Sequence, residues 1–437
     1  MRNFGGGPLR SGADHVASYY AATANWHTTY PRLDGDTRCD VVVVGAGFTG
    51  LSAAIELADR GLDVCLLEAN RVGWGASGRN GGQLIDGFTD PDRIEKRLGK
   101  DAADVAWQTG VESRNLVVER IERFGIECDL KFGYLNLALK ASEMERFREW
   151  IDHEEQRGYP HRMRIVTRDE LAQYIGSQRY VGAMVNEGNG HLHPLNLCIG
   201  EARAAEQLGV RIHEQTPVIH IEHDAQPAVT TPYGSVRAEH VLLAGNAYLG
   251  KTEPRLAGAV IPAGSYIIAT EPLSESTARE LSPRDMAAGD QRVALDYFRL
   301  SADRRMLWGG LCNYSGRTPR DITAALRPGM LKTFPQLADA RIDYEWGGYI
   351  GISINRIPQF GRIGGNTWYV QGYSGHGLAP SHIAGKVVAD AIGGDLERFE
   401  LFERIRHLRL PGGRWLANPA LALGMLYFRM KEIVQMR

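Results

Sequence analysis

The feature that most constrains the fold of this chain is the order of elements between Asp40 and Glu68. The unbroken run Val41–Val44 is typical of a central parallel strand that is covered on both faces. Three glycines spaced as GxGxxG follow it, namely Gly45, Gly47 and Gly50. In a βαβ unit the first glycine permits the tight turn, the second lets the backbone approach a diphosphate, and the third lets the helix pack closely. The pattern therefore predicts a dinucleotide-binding unit.

The acid that ends the second strand supports this interpretation. Glu68 lies 18 residues after Gly50, where a carboxylate can accept hydrogen bonds from both hydroxyls of an adenosine ribose. The same acid disfavours a 2′-phosphorylated dinucleotide. The alternative is a glycine turn in another kind of α/β unit.

The glycine-rich segment Gly73–Gln83 favours a flavin over a nicotinamide dinucleotide. So many glycines are incompatible with a stable helix. They allow backbone amides to wrap around a phosphate and a ring edge, which an FAD requires beyond its adenosine half. The alternative is a flexible surface loop.

A second glycine turn, Gly372–Gly377, precedes a predicted helix that runs through Ile392. Its helix N-terminus could stabilise the negative charge that a reduced flavin carries near N1 and C2=O. His376 could add a positive charge there, or it could merely cap the turn. The two glycine turns therefore predict contacts with opposite ends of one FAD.

The chain resembles the FAD-dependent amine and amino-acid oxidases of the D-amino-acid oxidase type, and within that group the bacterial gamma-glutamylputrescine oxidases. The resemblance rests on these stretches: Tyr19–Ala21, Gly75–Gln83, Gly190–Leu197, Gly245–Gly250, Pro358–Arg362 and Gly372–Gly377. It implies hydride transfer from a carbon beside an amine to the flavin. It also implies reoxidation by O2, giving an aldehyde, ammonia and H2O2.

The fold class expected is α/β with an α+β second domain: a Rossmann-like FAD-binding domain assembled from separated segments, and a substrate domain with a mixed sheet. The expected boundaries are 1–35 for an N-terminal arm, 36–90, 190–250 and 345–400 for the FAD-binding domain, 91–189 and 251–344 for the substrate domain, and 401–437 for a C-terminal tail.

The expected FAD contacts follow the motifs of this family. They are Gly45, Ala46, Gly47, Phe48, Thr49, Gly50, Glu68, Ala69, Arg71, Gly75, Ala76, Ser77, Arg79, Asn80, Gly81, Gly82, Gln83, Val218, Ala244, Gly245, Asn246, Gly348, Gly372, Tyr373, Ser374, Gly375, His376, Gly377 and Leu378.

The candidate catalytic residues are Gln83, His376 and Asn80. The candidate substrate contacts are three aromatic residues and two arginines, namely Tyr266, Trp346, Tyr373, Arg299 and Arg356. The aromatic residues could wall an aliphatic amine, and the arginines could receive a carboxylate. Core packing and surface salt bridges are the alternative roles of these residues.

Three departures from relatives within the family refine the prediction. No cysteine lies within Tyr349–Ser353, where sarcosine oxidases attach their flavin, so non-covalent FAD is expected. Tyr349, Ile350 and Gly351 stand where glycine and D-amino-acid oxidases have an arginine that binds the substrate carboxylate. An amine whose acidic group is remote from the reacting carbon therefore fits better. Met306–Leu311 contains no lysine for oxygen activation, so the group that activates O2 is left open.

The composition argues against other classes of protein. A net charge of −2 gives no general reason to expect a nucleic acid or an anionic membrane as a partner. The five cysteines are far apart and form no CxxC, which favours free thiols in a reducing cytoplasm. His191 and His193 have no third ligand nearby, so we expect no metal. The sequence leaves the oligomeric state open.

Two alternative functions remain. The first is a dehydrogenase that passes electrons to a quinone or another carrier. The second is a flavin-holding protein whose tail docks to a partner or makes peripheral contact with a membrane. The tail contains a mostly apolar stretch, 415–428, that is too short to span a bilayer.

Overall fold

The computed structural model describes residues 14–89, 91–250, 252–292, 295–313 and 318–409. Its strands are β1 Thr37–Val44, β2 Val64–Leu67, β3 Gln83–Leu84, β4 Lys131–Ala138, β5 Met163–Val166, β6 Gly182–His191, β7 Arg211–His213, β8 His220–Glu222, β9 Ala228–Thr231, β10 Gly234–Leu243, β11 Ile261–Thr270, β12 Ala287–Asp290, β13 Tyr297–Leu300, β14 Met306–Asn313, β15 Ile342–Ile352, β16 Gln359–Ile363 and β17 Thr367–Gln371. Its helices are α1 Tyr19–Ala22, α2 Phe48–Asp59, α3 Pro91–Leu98, α4 Lys100–Phe124, α5 Ala141–Gln156, α6 Pro194–Gln207, α7 Glu275–Leu281, α8 Ile322–Thr333, α9 Leu378–Ile392 and α10 Glu397–Glu403.

The first sheet has a parallel centre. Its strand order is β16-β17-β10-β1-β2-β7, and the hairpin-like pair β8–β9 extends it from β10. The four pairings among β17, β10, β1, β2 and β7 are parallel, whereas β16 runs antiparallel to β17. Helices α2, α6 and α9 cover one face, where Leu51, Leu197 and Val388 lie in one apolar core. This arrangement confirms the predicted α/β class.

The second sheet is mixed. Its strand order is β15-β11-β14-β13-β12-β4-β6-β3, with β5 paired to β6. Only the β12–β4 pair is parallel among its described pairings. A separate core that includes Trp308, Phe298 and Phe334 covers one of its faces. The predicted mixed sheet is therefore present.

Two long segments lie in other layers of the fold than the predicted domain boundaries imply. Helix α4 was expected in the substrate domain, but Ala106 and Val117 lie in the same apolar core as α2 and α9. The segment from residue 345 was expected in the FAD-binding domain, but β15 belongs to the second sheet. A periodic pattern of apolar residues shows that one face of a helix or strand is buried. It does not show which neighbouring layer covers that face, so the sequence could not assign either segment to a domain.

Two helices, α3 and α4, follow one another between residues 91 and 124. Gly99 separates α3 from α4 and has a φ of 90°, a conformation that glycine adopts without strain. No helix within the described ranges is long and apolar enough to cross a membrane. The apolar part of the tail, 415–428, lies outside the described residues, so its predicted docking role stays a prediction.

Candidate active site

Adjacent parallel strands bring two predicted contact segments together. β1 and β10 are neighbours and end side by side at Val44 and Leu243. The amide of Ala244 donates to the carbonyl of Val44 at 2.9 Å. A Cβ at Gly45, whose φ is 111°, would lie 3.1 Å from the Ala244 carbonyl oxygen. Ligands of open α/β sheets bind at this carboxyl edge, so the geometry places Gly45 and Ala244 at the expected position.

The N-terminus of α2 is prepared for an anion. A Cβ at Gly50 would overlap the carbonyl oxygen of Gly45, so the helix starts directly against the turn. The first turn carries no acidic side chain, and Gly47 provides no side-chain cap. The amide of Phe48 donates to Ser77 Oγ at 3.0 Å. The remaining first-turn amides and the helix dipole favour a phosphate.

Glu68 is fixed beside this turn. Its carboxylate accepts hydrogen bonds from the amides of Ala46 and Asn70, both at 2.9 Å. Burial raises its pKa to about 7, against the lowering effect of the two amides, and the nearby Glu214 adds to the rise. The buried Asn70 Oδ1 has no hydrogen-bond partner among the described residues.

A second acid, which sequence reasoning missed, holds the segment after Glu68. Glu214 is buried and accepts from the Arg71 guanidinium at 2.9 Å and from the amide of Val72 at 2.7 Å. The amide of Thr216 donates to the carbonyl of Glu68 at 2.8 Å. These bonds place Ala69 and Arg71 beside the segment that contains Val218. The signal for Glu214 was its position, one residue after the end of the parallel strand β7.

The segment Gly75–Gln83, here called the flavin loop, has several carbonyls held on the protein side. Trp346 Nε1 donates to Arg79 O at 3.0 Å, and Arg299 Nε donates to Gly81 O at 2.8 Å. The amide of Leu192 donates to Gly82 O at 2.7 Å. Because these three carbonyls accept hydrogen bonds from the rest of the protein, one side of the loop is held against the protein.

Several amides of the flavin loop have no acceptor. Among the described residues, no hydrogen bond is made by the backbone N–H groups of Gly75, Ala76, Ser77, Asn80 and Gly81. Backbone N–H groups grouped in this way form a concave site for phosphate and electronegative ring atoms. This donor set fits the diphosphate and the isoalloxazine edge of an FAD.

The second glycine turn is tied to the first. Thr49 Oγ1 and the hydroxyl of Tyr373 lie 2.7 Å apart in a buried hydrogen bond. Asn246 Oδ1 accepts from the amide of Gly372 at 3.0 Å. Gly372 and Gly375 have φ values of 85° and 92°. Segments from three distant parts of the chain therefore converge on one place.

Helix α9 begins just after this turn. It starts at Leu378 with Gly377 as its N-cap, and no acidic side chain lies in its first turn. His376 is exposed, and its Nε2 donates to the carbonyl of Asp86 at 2.8 Å. This bond links the turn to the segment after the flavin loop. A second helix N-terminus is thus available for the other end of the cofactor.

Tyr266, predicted to contact substrate, lies on the face of the second sheet that points away from the flavin loop. Cross-strand neighbours share a face, and Tyr266 faces Gly310 and Gly347 in the registers of β14 and β15. It is buried in the core that contains Trp308. Successive strand residues point to opposite faces. A bulge near residue 265 changes which residues of β11 point to each face. The sequence alone therefore could not show the face on which Tyr266 lies.

The face toward the flavin loop carries other residues. The cross-strand partners Tyr297, Gly309, Ile267 and Trp346 lie along one row. A Cβ at Gly81 would lie 2.6 Å from the Tyr297 ring, so this ring packs directly on the loop. Sequence reasoning missed Tyr297. The available signal was that Tyr297 lies two residues before Arg299 in the same strand, so that both side chains point to the same face.

The geometry of Arg299 does not fit the predicted role as receptor for a substrate carboxylate. The side chain is 2% exposed. Its nitrogens donate to four oxygens, namely Gly81 O, Leu192 O, Leu300 O and the Tyr20 hydroxyl. Arg356 is exposed on the turn between β15 and β16, with a φ of 61°. It is the more accessible of the two predicted arginines.

Three further predicted residues have structural partners. Asn80 donates to the carbonyls of Ala76 and Ser77 and accepts from the amide of Gly82, so its amide group is fully engaged within the loop. Trp346 is 2% exposed and packs against Tyr20 in addition to its bond to Arg79. Both residues therefore support the loop from the protein side. Tyr373 is buried and bonded to Thr49.

Gln83 lies at the edge of the second sheet. It pairs with His191 through the β3–β6 ladder, and its Nε2 donates to the carbonyl of Ala288 at 3.1 Å. It is half-buried. Of the three predicted catalytic residues, His376 is exposed, whereas Gln83 and Asn80 are both half-buried.

His191 and His193 are neutral side chains. Burial, followed by the charge of Arg299, lowers the pKa of each to about 3. His191 Nε2 donates to the carbonyl of Asp285 at 2.8 Å, and His193 Nδ1 accepts from the amide of Asn196 at 3.1 Å. Within the described ranges, no group of three or more His, Cys, Asp or Glu residues could hold a metal ion.

Comparison with known proteins decides the family. A model of the DAO family, described as FAD dependent oxidoreductase, matches residues 40–391. The chain belongs to this family of FAD-dependent oxidoreductases. A gamma-glutamylputrescine oxidoreductase of Escherichia coli is 43% identical to it over 421 residues, covering 96% of this chain and 99% of the relative.

Solved structures show the same fold. Glycine oxidase from Geobacillus kaustophilus superposes with a TM-score of 0.69 at 22% identity, over 84% of this chain and all of the other. L-proline dehydrogenase from P. horikoshii superposes with the same TM-score and identity, over 82% and 94% of the two chains. At this identity the likeness establishes the DAO fold alone. The glycine turns and the flavin loop converge where the sequence predicts the FAD of this family to bind.

Proposed function

We propose that this protein oxidises an amine with a remote acidic group, of the gamma-glutamylputrescine kind, using FAD and O2. The observation that carries the proposal is the similarity to the E. coli gamma-glutamylputrescine oxidoreductase across nearly the whole length of both chains. The engaged carbonyls and unpaired amides of the flavin loop support the FAD part of the proposal.

The proposed reaction consumes one amine, one O2 and one water. It yields one aldehyde, one ammonia and one H2O2. Bound FAD supplies the two-electron acceptor for the C–H bond beside the amine nitrogen. The protein's own task is to hold the amine in a dry, oriented position, which alone accounts for a large part of such a rate enhancement.

The side of the second sheet that packs on the flavin loop is apolar. Ile267, Leu307 and Trp346 are buried there in one apolar cluster. Tyr297 packs on Gly81 and presents a hydroxyl that lies 3.3 Å from Ser265 Oγ. We assign Tyr297 as a wall of the substrate pocket in place of Tyr266. Gln83 and His376 remain the proposed polar groups at the reacting end.

We assign recognition of the remote acidic group to Arg356. It is exposed, and it lies three residues after Ser353, whose amide donates to Ser374 Oγ in the second glycine turn. A guanidinium can bind a carboxylate with two parallel hydrogen bonds. An α-amino acid, whose carboxylate is next to the reacting carbon, would need an arginine within the site instead. None occupies Tyr349–Gly351.

An anaerobic reduction experiment tests the proposal. The yellow holoenzyme is mixed without oxygen with gamma-glutamylputrescine, free putrescine, other polyamines and simple amino acids, and flavin absorbance is followed. Rapid bleaching by gamma-glutamylputrescine and slow or no bleaching by glycine and D-alanine is expected. If no gamma-glutamyl amine bleaches the flavin, the substrate assignment is wrong.

The electron acceptor is tested separately. The fold occurs in both an oxidase and a dehydrogenase, so it does not choose between them. Under air, the oxidase proposal expects one H2O2 for each aldehyde formed. Aldehyde without H2O2, accompanied by rapid reduction of a soluble quinone, would instead establish a dehydrogenase.

A further inference from the structure

We propose that Arg299 is a positioning residue that fixes the flavin loop and places a buried positive charge behind it, favouring the two-electron-reduced state of the cofactor. The inference goes beyond the proposed amine substrate. It depends on FAD binding, which family membership establishes, and its test needs no amine.

Arg299 joins three segments that are distant in the chain. Its Nε donates to Gly81 O at 2.8 Å in the flavin loop. Its Nη2 donates to Leu192 O at 2.8 Å and to the Tyr20 hydroxyl at 3.2 Å. Leu192 in turn donates its amide to Gly82 O at 2.7 Å. The N-terminal helix α1, which carries Tyr20, therefore supports the loop through one side chain.

Further hydrogen bonds connect the contact between Arg299 and Gly81 to the rest of the flavin loop. The peptide that links Gly81 to Gly82 accepts from Arg299 at its carbonyl and donates its N–H to Asn80 Oδ1 at 2.8 Å. Asn80 Nδ2 then donates to Ala76 O at 3.1 Å and Ser77 O at 2.7 Å. Such chains of hydrogen bonds polarise and strengthen one another. Arg299 thus fixes both halves of the loop, from residue 76 to residue 82.

The space between Gly82 and Arg299 admits no side chain at residue 82. A Cβ at Gly82 would lie 2.8 Å from Arg299 Nη2, and the φ of Gly82 is 70°. A Cβ at the same place would also overlap the carbonyl oxygen of Leu192. The guanidinium therefore packs against bare backbone, and only glycine admits this contact.

The charge of Arg299 is not compensated by a nearby acid. Among the described residues, no carboxylate lies within 4.0 Å of its guanidinium, whereas the neighbouring Arg305 pairs with Asp303 and Asp343. His191 and His193 stay neutral, in part because of Arg299. Asp285, whose carboxyl group is influenced by the charge of Arg299, is bonded to Lys131 at 2.6 Å.

A buried cation without a counter-charge is unfavourable, and an anion bound nearby offsets that cost. A flavin gains negative charge when it takes up two electrons and one proton. Since Arg299 contacts the loop that holds the flavin, its field favours that reduced state. The same residue therefore acts on the loop by hydrogen bonding and on the cofactor by charge.

The test compares holoenzymes carrying Arg299→Gln, Arg299→Lys and Tyr20→Phe. Arg299→Gln removes the charge, Arg299→Lys keeps it but cannot reach all four oxygens, and Tyr20→Phe removes one bond only. The flavin midpoint potential is measured by dye equilibration, and amide hydrogen exchange is followed over residues 76–83. Arg341→Gln, an exposed arginine before β15, is the control for loss of one charge.

Arg299→Gln is expected to weaken the reduced state relative to the oxidised state about tenfold, a fall of about 30 mV for two electrons. Arg299→Lys is expected to change the potential by less than a third of that. Both variants, and to a lesser degree Tyr20→Phe, should accelerate exchange in the loop. Arg341→Gln should change neither quantity.

An unchanged potential in Arg299→Gln overturns the electrostatic role. Unchanged exchange over 76–83 in Arg299→Lys and Tyr20→Phe overturns the positioning role. Should Arg299→Gln fail to fold or retain FAD, loop exchange in Arg299→Lys and Tyr20→Phe still decides the positioning role. A fall of about 30 mV in Arg299→Lys, which keeps the buried charge, would then overturn the electrostatic role. Failure of any amine to reduce the flavin would affect only the proposed substrate.

Discussion

Thr49 and Tyr373 share a buried hydrogen bond of 2.7 Å between their side-chain oxygens, although 324 positions separate them in the chain. Thr49 lies in the first turn of α2, and Tyr373 lies in the glycine turn before α9. The bond therefore joins the N-termini of α2 and α9, which the sequence predicts to meet opposite ends of the cofactor.

Replacement of Tyr373 by Phe is expected to destabilise the FAD-free protein by about 1–3 kcal/mol, because it leaves the Thr49 hydroxyl buried without a partner. The double variant Thr49→Val/Tyr373→Phe should lose less than the sum of the single losses. Urea unfolding measures all three. Tyr369→Phe is the control, since that hydroxyl has no hydrogen bond among the described residues. Strict additivity of the two single losses would contradict the pairing.

Glu68 is expected to make cofactor affinity depend on pH. Burial raises its pKa to about 7 in the folded protein, and the carboxylate form accepts ribose hydroxyls best. FAD should therefore bind more tightly as the pH rises from about 5.5 to 8, and Glu68→Gln should bind weakly with a flatter profile. Titration of apoprotein with FAD, followed by flavin fluorescence, measures both.

The same shift has a defined effect on stability. A carboxyl whose pKa is raised on folding contributes stability below its unfolded pKa of 4.5 and loses it as the pH rises through about 7. Within that window the apoprotein should lose up to about 1.4 kcal/mol per pH unit from this group. Glu68→Gln should lack that contribution. An identical pH profile in wild type and variant would argue against the raised pKa.

His191 and His193 are expected to destabilise the protein in acid. Their pKa values fall from 6.5 to about 3 on folding, so their contribution is complete above pH 6.5 and is lost as the pH falls toward 3. Each should contribute about 1.4 kcal/mol per pH unit within this window. His191→Gln should reduce the slope of unfolding free energy by about that amount. An exposed histidine, His220, replaced by Gln gives the control.

Arg356 is expected to act on substrate affinity alone. Arg356→Gln should raise KM for gamma-glutamylputrescine about tenfold, a loss of about 1.4 kcal/mol, with little change in kcat. KM for putrescine, which has no carboxylate, should not change. Arg362→Gln serves as a matched control, since that arginine pairs with Glu403 on the surface. Equal effects on both amines would exclude Arg356 as the carboxylate receptor.

The FAD-binding frame could be predicted from the sequence because its determinants are local. Gly45, Gly47 and Gly50 are required by backbone conformation and by close packing within one βαβ unit, and both leave a fixed spacing in the chain. Glu68 ends a strand whose parallel neighbour begins the motif. The glycine-rich loop could also be predicted, because its composition is incompatible with a stable helix or strand.

Tertiary structure decided which polar groups face the cofactor and which face the protein. Arg299, Asn80 and Trp346 were predicted to meet substrate or flavin, but they hold the flavin loop from behind. Tyr266 and Tyr297 both lie on the second sheet, and only strand pairing shows that they point to opposite faces. A one-residue bulge reverses the face to which the following residues of a strand point, and no sequence pattern reveals that bulge.

The sequence by itself determined the βαβ unit, the two glycine turns and the presence of an FAD-type loop between them. Only the tertiary structure joined Thr49 to Tyr373, brought Arg299 and Tyr20 against Gly81, and placed Glu214 beside Glu68. The physical reason is that backbone conformation is encoded by neighbouring residues, whereas hydrogen bonds between distant segments depend on how strands pair and helices pack.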